Sequence, residues 1–226
     1  PPFAESARGA FVRQLFVDEA LTDVQIDRVG NVFARLAGNG LAKPLIVSAH
    51  LDTVFPAGTD LTLRRDAEKV YAPGIGDNSL GVAGLFGLIW KLKARSFPLP
   101  GDVWVVANVC EEGLGDLRGM KAVVERFGAA VTGYIVLEGM SLGYVYHRGL
   151  GVRRYQITAR TAGGHSWVDF GRPSAIHELA ALVCRLNNIP LPRQPRTSMN
   201  VGVISGGTSV NTIAAQASLD LDTRSE

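Results

Sequence analysis

The chain of 226 residues is 46% hydrophobic and 19% charged, and its 23 basic and 21 acidic side chains leave a formal net charge of +2. Lys and Arg never run longer than a pair, as at Arg64-Arg65 and Arg153-Arg154, so no clustered field recruits nucleic acid or an anionic membrane surface. Apolar stretches such as Leu85 to Trp90 and Val103 to Cys110 fall far short of the ~20 residues of a membrane-crossing helix. The length admits one large domain or two modest ones. Pro1 to Glu5 carry no basic region followed by an apolar stretch, so no signal peptide is expected within this chain. Cys110 and Cys184 form neither a disulfide framework nor a CxxC site. They are expected to be buried thiols of a cytoplasmic protein.

In chain order, Ala4 to Val17 reads as an amphipathic helix already under way, which implies that a natural start is missing. Val24 to Val29 and Asn31 to Leu36 read as strands flanking Gly30, and Leu45 to Ala49 as a short buried strand ending at His50. A loop punctuated by Gly58, Pro73, Gly74 and Gly76 leads to a helix over Asn78 to Ala94, with Val82, Leu85, Phe86, Ile89 and Trp90 on one face. Asp102 to Val109 is the next strand, followed by Cys110-Glu111-Glu112. Leu117 to Phe127 is a helix, and Gly133 to Leu137 a strand ending at Glu138. This alternation predicts an α/β domain with a mostly parallel sheet over residues 1–147. From 148 to 226 the pattern is β-α-β-β: Arg154 to Arg160 alternates with period two, Ser174 to Asn188 is helical and stopped by Pro190 and Pro192, and Ser198 to Ser205 and Ala215 to Thr223 are strands. The expected fold is thus an α/β domain followed by an α+β unit that is begun but not closed.

Three strands end in potential metal ligands: His50 with Asp52, Glu111 with Glu112, and Glu138. Asp77 lies in a glycine-rich turn just before a helix. Ligands of open α/β sheets bind beyond the carboxyl ends of the strands, so these positions are expected to converge. One His and three carboxylates can hold two divalent ions if one carboxylate bridges. An Asp two residues after His50 reaches the same side of an extended chain and can orient the imidazole. Of Glu111 and Glu112, one can bind metal while the other faces water as a general base, because successive side chains point to opposite sides. Each element alone has a plainer reading: an isolated HxD is common, GIGDN can be a capped turn or a weak phosphate loop, and paired glutamates are usually surface features. It is the ordered set, each member closing an apolar run, that points to a site. Ser166 and Ser209 do not sit in a GxSxG elbow, which argues against a serine hydrolase.

The stretches SAHLDTV (48–54), GIGDNSLGVAGL (74–85), CEEGLGDLRG (110–119), VLEG (136–139), GGHS (163–166) and SGGTSVNTIAAQASLDLDTRS (205–225) resemble the dizinc metallohydrolases of aminoacylase, acetylornithine deacetylase, succinyl-diaminopimelate desuccinylase, carboxypeptidase G and peptidase T. The resemblance implies a zinc-dependent metallopeptidase or amidohydrolase acting on a peptide or N-acyl amino acid, with cobalt or manganese as substitutes for its two zinc ions. It implies that His50 and Glu138 bind one zinc, Glu112 binds the other and Asp77 bridges them. Glu111 would be the general base and Asp52 the residue that orients His50. It implies a cis peptide at Asp77-Asn78 and a homodimer formed through an inserted lid domain, incomplete here. Across that dimer His165 would stabilise the oxyanion, and Asn211 and Arg224 would bind substrate. On residues alone, His165 is more readily a structural turn residue and Arg224 a surface charge; His147 and His177 match no ligand motif and are expected to be structural or surface residues.

One ligand of the family is missing: a histidine that follows the lid. The expectation is therefore a chain truncated at both ends and one ligand short at the Glu112 metal. A rival reading is a pseudoenzyme that serves as a dimerisation or binding scaffold, although a scaffold has no use for a spare carboxylate such as Glu111.

Overall fold

A computed structural model describes residues 1–95, 98–139 and 142–226. The chain forms two compact units, Pro1–Tyr144 and Val145–Glu226. In the first, helix α1 (Ser6–Asp18) leads to strands β1 (Thr22–Ile26), β2 (Val32–Leu36) and β3 (Leu45–His50). A two-residue ribbon of β4 (Arg64–Arg65) and β5 (Val70–Tyr71) follows, then the irregular turn Ile75–Ser79 and α2 (Leu80–Lys93). β6 (Val103–Asn108), a short 3-10 turn at Gly113–Gly115, α3 (Arg118–Phe127) and β7 (Gly133–Val136) complete the unit.

The strands lie in the order β1-β2-β6-β3-β7. β3 pairs in parallel with both β6 and β7, whereas β1-β2 and β2-β6 are antiparallel. The expected mostly parallel sheet is therefore corrected to a mixed one. The cause is local: Asp27 Oδ1 accepts the N–H groups of Val29, Gly30 and Asn31, each at 2.9 Å, and Gly30 takes φ +107°. This closes β1 and β2 into a hairpin, whose connection of residues 27–31 is too short for a helical crossover. It also ends β1 at Ile26, three residues earlier than its apolar content suggests.

Period-two alternation sends strand side chains to two different cores. Ala34, Val47, Ala49, Val105 and Ala107 face α1 and α2 and pack with Val12, Phe16, Leu85 and Ile89. Phe33, Ile46 and Val106 face the other way, onto Val123, Met120 and Phe127 of α3. The result is a three-layer sandwich whose central strands β3 and β6 are buried almost throughout.

In the second unit, β8 (Gly151–Arg160), β12 (Gln216–Ser225) and β10 (Thr197–Gly206) form an antiparallel sheet in the order β10-β12-β8. Helix α4 (Ala175–Asn187) lays Ala175 and Leu179 on Ala217, Leu219 and Leu221. The β-α-β-β pattern is present, with a further two-residue ribbon of β9 (Gly164–His165) and β11 (Thr212–Ile213). Cys110 is buried, but Cys184 is exposed. It sits outside the α4 stripe of Leu179, Leu182, Val183 and Leu186 that faces the sheet, which corrects the expectation of two buried thiols. Among the described residues, no helix is long and apolar enough to cross a membrane.

Leu85 is fully buried between α1 and the sheet. Leu85→Ala is expected to lower unfolding stability by about 2–5 kcal/mol, read from denaturant melts of the parent and variant chains.

Candidate metal centre

The site is built at the exits of β3, β6 and β7 and on the turn before α2. His50, the last residue of β3, is 1% exposed. Its Nδ1 lies 3.0 Å from the Asp52 carbonyl oxygen and 3.5 Å from Asp52 Oδ1. Its Nε2 faces three carboxylates: Asp77 Oδ1 at 2.9 Å, Glu138 Oε2 at 3.6 Å and Glu111 Oε2 at 4.0 Å. One donor atom each from His50, Asp77 and Glu112 falls within 4.8 Å of the others.

Asp52 joins two of these exits. It is 1% exposed, and its Oδ1 and Oδ2 accept the N–H groups of Glu111 at 3.0 Å and Glu112 at 2.8 Å. Burial works against its ionisation, but the His50 ring and these two amides outweigh it and hold its carboxyl below the usual range.

Asp77 is placed by its neighbours. The Asp77-Asn78 peptide is cis, in accord with the resemblance. Buried Asn78 donates from Nδ2 to the Leu137 carbonyl at 2.7 Å and accepts the Gly81 N–H at 2.9 Å. This ties the turn both to the exit of β7 and to the first turn of α2. Gly139 makes the approach possible: a Cβ there would lie 1.5 Å from the Gly76 carbonyl oxygen. The turn carrying Asp77 thus rests directly on the backbone beside Glu138.

The electrostatics are one-sided. Burial, then the surrounding carboxylates, push the Glu111 and Glu112 carboxyls up, with His50 opposing. Burial disfavours the His50 imidazolium, yet Asp52, Glu138 and Glu111 together push its pKa up to about 10. The donor set suits a divalent cation. Glu112 Oε1 is a buried oxygen without a hydrogen-bond partner, of the kind a cation satisfies, and an imidazole among carboxylates is a borderline-to-hard ligand set.

The remaining expected site residues lie in the second unit. His165 pairs with Thr212 across β9-β11, and its Nδ1 accepts the N–H groups of Trp167 at 3.2 Å and Val168 at 3.4 Å. Asn211 is its neighbour, accepting the Ser166 N–H at its carbonyl, 3.0 Å away. Arg224 is not brought to this corner. It sits at the far end of β12, where its Nε donates to Asp222 Oδ2 at 2.8 Å. His147 and His177 are exposed.

The sequence reading passed over three residues that hold the site together: Asn78, Glu5 and Arg8. Glu5 Oε1 accepts the Cys110 N–H at 2.9 Å, and Arg8 donates to the Leu51 carbonyl at 2.6 Å and Ser79 Oγ at 2.7 Å. The polar residue within GIGDN signalled Asn78. No local pattern signals the other two, whose partners lie 43 or more positions away.

Three strand ends and the turn before α2, bringing carboxylates around the His50 imidazole, define an α/β domain with a candidate cation centre at the carboxyl edge of its sheet. Residues 46–217 match the model of peptidase family M20/M25/M40, and the chain belongs to that family. It is 26% identical over 204 residues to carboxypeptidase G2 of Pseudomonas sp. (strain RS-16), covering 86% of this chain and 47% of that protein. It is 25% identical over 167 residues to succinyl-diaminopimelate desuccinylase of Corynebacterium glutamicum, covering 74% and 45%. The chain spans about half the length of the curated relatives it matches. Its fold is that of aminopeptidase PepT from Bacillus cereus, with a TM-score of 0.75 and 23% identity over 98% of this chain and 61% of that one. It is also similar to the Bacillus subtilis protein YXEP, described as a dinuclear metal binding peptidase, with a TM-score of 0.66 and 16% identity over 99% and 59%.

The raised His50 pKa fixes a sign. Its contribution to folding is fully present below the ordinary value of 6.5 and is lost as pH rises toward about 10. The raised Glu111 and Glu112 carboxyls add a cost that sets in above their ordinary value of 4.5. The chain stripped with a chelator is therefore expected to melt at progressively lower temperature from pH 7 to pH 10, and excess divalent cation should flatten that decline. Thermal melts with and without chelator across this range provide the check.

Proposed function

We propose that this chain is the metal-binding portion of a hydrolase that cleaves an amide bond of a peptide or N-acyl amino acid. The observation carrying this reading is the partnerless buried Glu112 Oε1 beside His50 Nε2 and Asp77, within a family whose named relatives include a carboxypeptidase and a desuccinylase. His50 and Glu138 would hold one ion, Glu112 the other, and Asp77 would lie between them. Two zinc ions, or cobalt or manganese in their place, would polarise the scissile carbonyl and ease loss of a proton from water.

The chain's own residues divide the remaining work. Asp52 orients His50 through Nδ1 and, by taking two successive N–H groups, presents Glu111 and Glu112 at fixed angles. Glu111, 4.0 Å from His50 Nε2, takes the proton of the attacking water and returns it to the departing amine. The second unit acts as the inserted lid, through which two subunits pair. His165 donates to the developing oxyanion of the partner's substrate. Asn211 binds substrate beside His165, and Arg224, whose planar fork suits a carboxylate, would take part only on leaving Asp222. The two free cysteines suit a reducing compartment, and the cytoplasm is the location we assign.

Glu111→Gln separates this reading from a non-catalytic scaffold. It is expected to lower hydrolysis across a panel of short peptides and N-acyl amino acids by about 10²–10⁴-fold, while zinc content measured after dialysis stays equal to that of the parent. Equal turnover by variant and parent would instead favour the scaffold, and the panel member cleaved fastest decides between peptidase and deacylase.

A further inference from the structure

We infer that Glu5 and Arg8 are positioning residues for the metal centre, and that α1 sets the centre's geometry as well as covering the sheet. Three successive backbone N–H groups at the exit of β6 point at carboxylates: Cys110 at Glu5 Oε1, Glu111 at Asp52 Oδ1 and Glu112 at Asp52 Oδ2. Cys110 holds φ +55°, a left-handed conformation that costs a non-glycine residue of order 1 kcal/mol and persists only where its surroundings over-determine it. Glu5 is 8% exposed, and its carboxylate holds the Cys110 N–H while the Arg118 N–H donates to the Cys110 carbonyl at 3.2 Å. If the Cys110 N–H were released, the Val109-Cys110 peptide, one residue before Glu111, would lose a restraint, and the strand exit would be left hanging on the two amides that Asp52 holds.

Arg8 performs the matching task on the other side. Its two terminal nitrogens bridge the Leu51 carbonyl, one residue before Asp52, and Ser79 Oγ. Ser79 Oγ in turn donates to the Gly74 carbonyl at 2.6 Å, closing the turn that carries Asp77. The planar guanidinium spans both acceptors at fixed separation, which a single ammonium cannot do. At the start of α1, its N-cap residue Glu5 and Arg8 thus tie together the segments bearing Asp52, Asp77 and Glu111-Glu112.

The metal-binding part of this inference rests on the proposed centre, so the test has two arms. In the first, amide hydrogen exchange is followed in the metal-free chain. Glu5→Leu is expected to speed exchange at Cys110, Glu111 and Glu112 by about tenfold, the worth of one charge-assisted hydrogen bond, whereas Glu5→Gln, which keeps an acceptor, restores most of the protection. In the second, cobalt(II) is titrated and its visible absorption recorded. Glu5→Leu and Arg8→Met should weaken binding by about 10–100-fold and alter the spectrum, with Arg8→Lys intermediate. Val12→Ala, on the same helix and 2% exposed, should lower the melting temperature and leave cobalt affinity unchanged. Unaltered exchange in Glu5→Leu, or a loss of cobalt affinity in Val12→Ala as large as in Arg8→Met, overturns the inference. A parent chain that takes up no cobalt overturns the proposed centre instead, and the exchange arm still decides whether Glu5 holds the Cys110 turn.

Discussion

Asp52 is a buried carboxylate with both oxygens occupied by the backbone of another strand's exit, and the arrangement of the site follows from that. A negative charge inside a protein is costly unless hydrogen bonds compensate it. Here the compensation comes from the amides of Glu111 and Glu112 and from the His50 ring. Each of these partners belongs to the site, so the groups that satisfy Asp52 are also the groups it aligns. Removing it would free two amides and one imidazole together, far more than one hydrogen bond's worth of order.

The sheet makes this possible. Parallel pairing of β3 with β6 and β7 brings three carboxyl termini to one edge, and burial of β3 and β6 on both faces fixes the height of two of them, while β7 lies at the sheet edge. A surface made only of strand exits would still leave Asp77 unplaced, because its turn belongs to the crossover into α2. Asn78, Gly81 and Gly139 perform that placement through contacts with backbone. The packed core and the polar site are therefore coupled: the helices that bury Leu85 and Val123 hold the ends from which the charged residues project.

Much of this was legible from residue order. An apolar run such as LIVSA or GYIVL that stops abruptly at His50 or Glu138 signals a strand end with a polar purpose, and the three-dimensional arrangement brings those ends to one place, although Ile135 and Val136 of the second run are exposed. Strand direction was less accessible. The β1-β2 hairpin is closed by Asp27 capturing three amides, but no local pattern tells that β2 pairs antiparallel with β6, a strand some seventy positions later. The two-residue ribbons β4-β5 and β9-β11 are too short to leave any periodicity. Glu5 and Arg8 read as the polar face of an amphipathic helix, because a helix carries no record of which distant carbonyl or amide its charged residues will meet. Arg224 marks the opposite limit: a motif match gives it a role, while its observed partner is Asp222 on its own strand.

The contact of Gly139 with the Gly76 carbonyl bears on which ions such a centre would accept. Backbone rests on backbone there, with no side chain between that can change rotamer, so the distance from the Asp77 turn to the β7 exit is stiff. Ions of different radius would then have to be accommodated by rotation of the Asp77, Glu112 and Glu138 side chains. Such a centre would discriminate between metals through the strain of carboxylate torsions, and the main chain would keep one spacing whichever ion is offered.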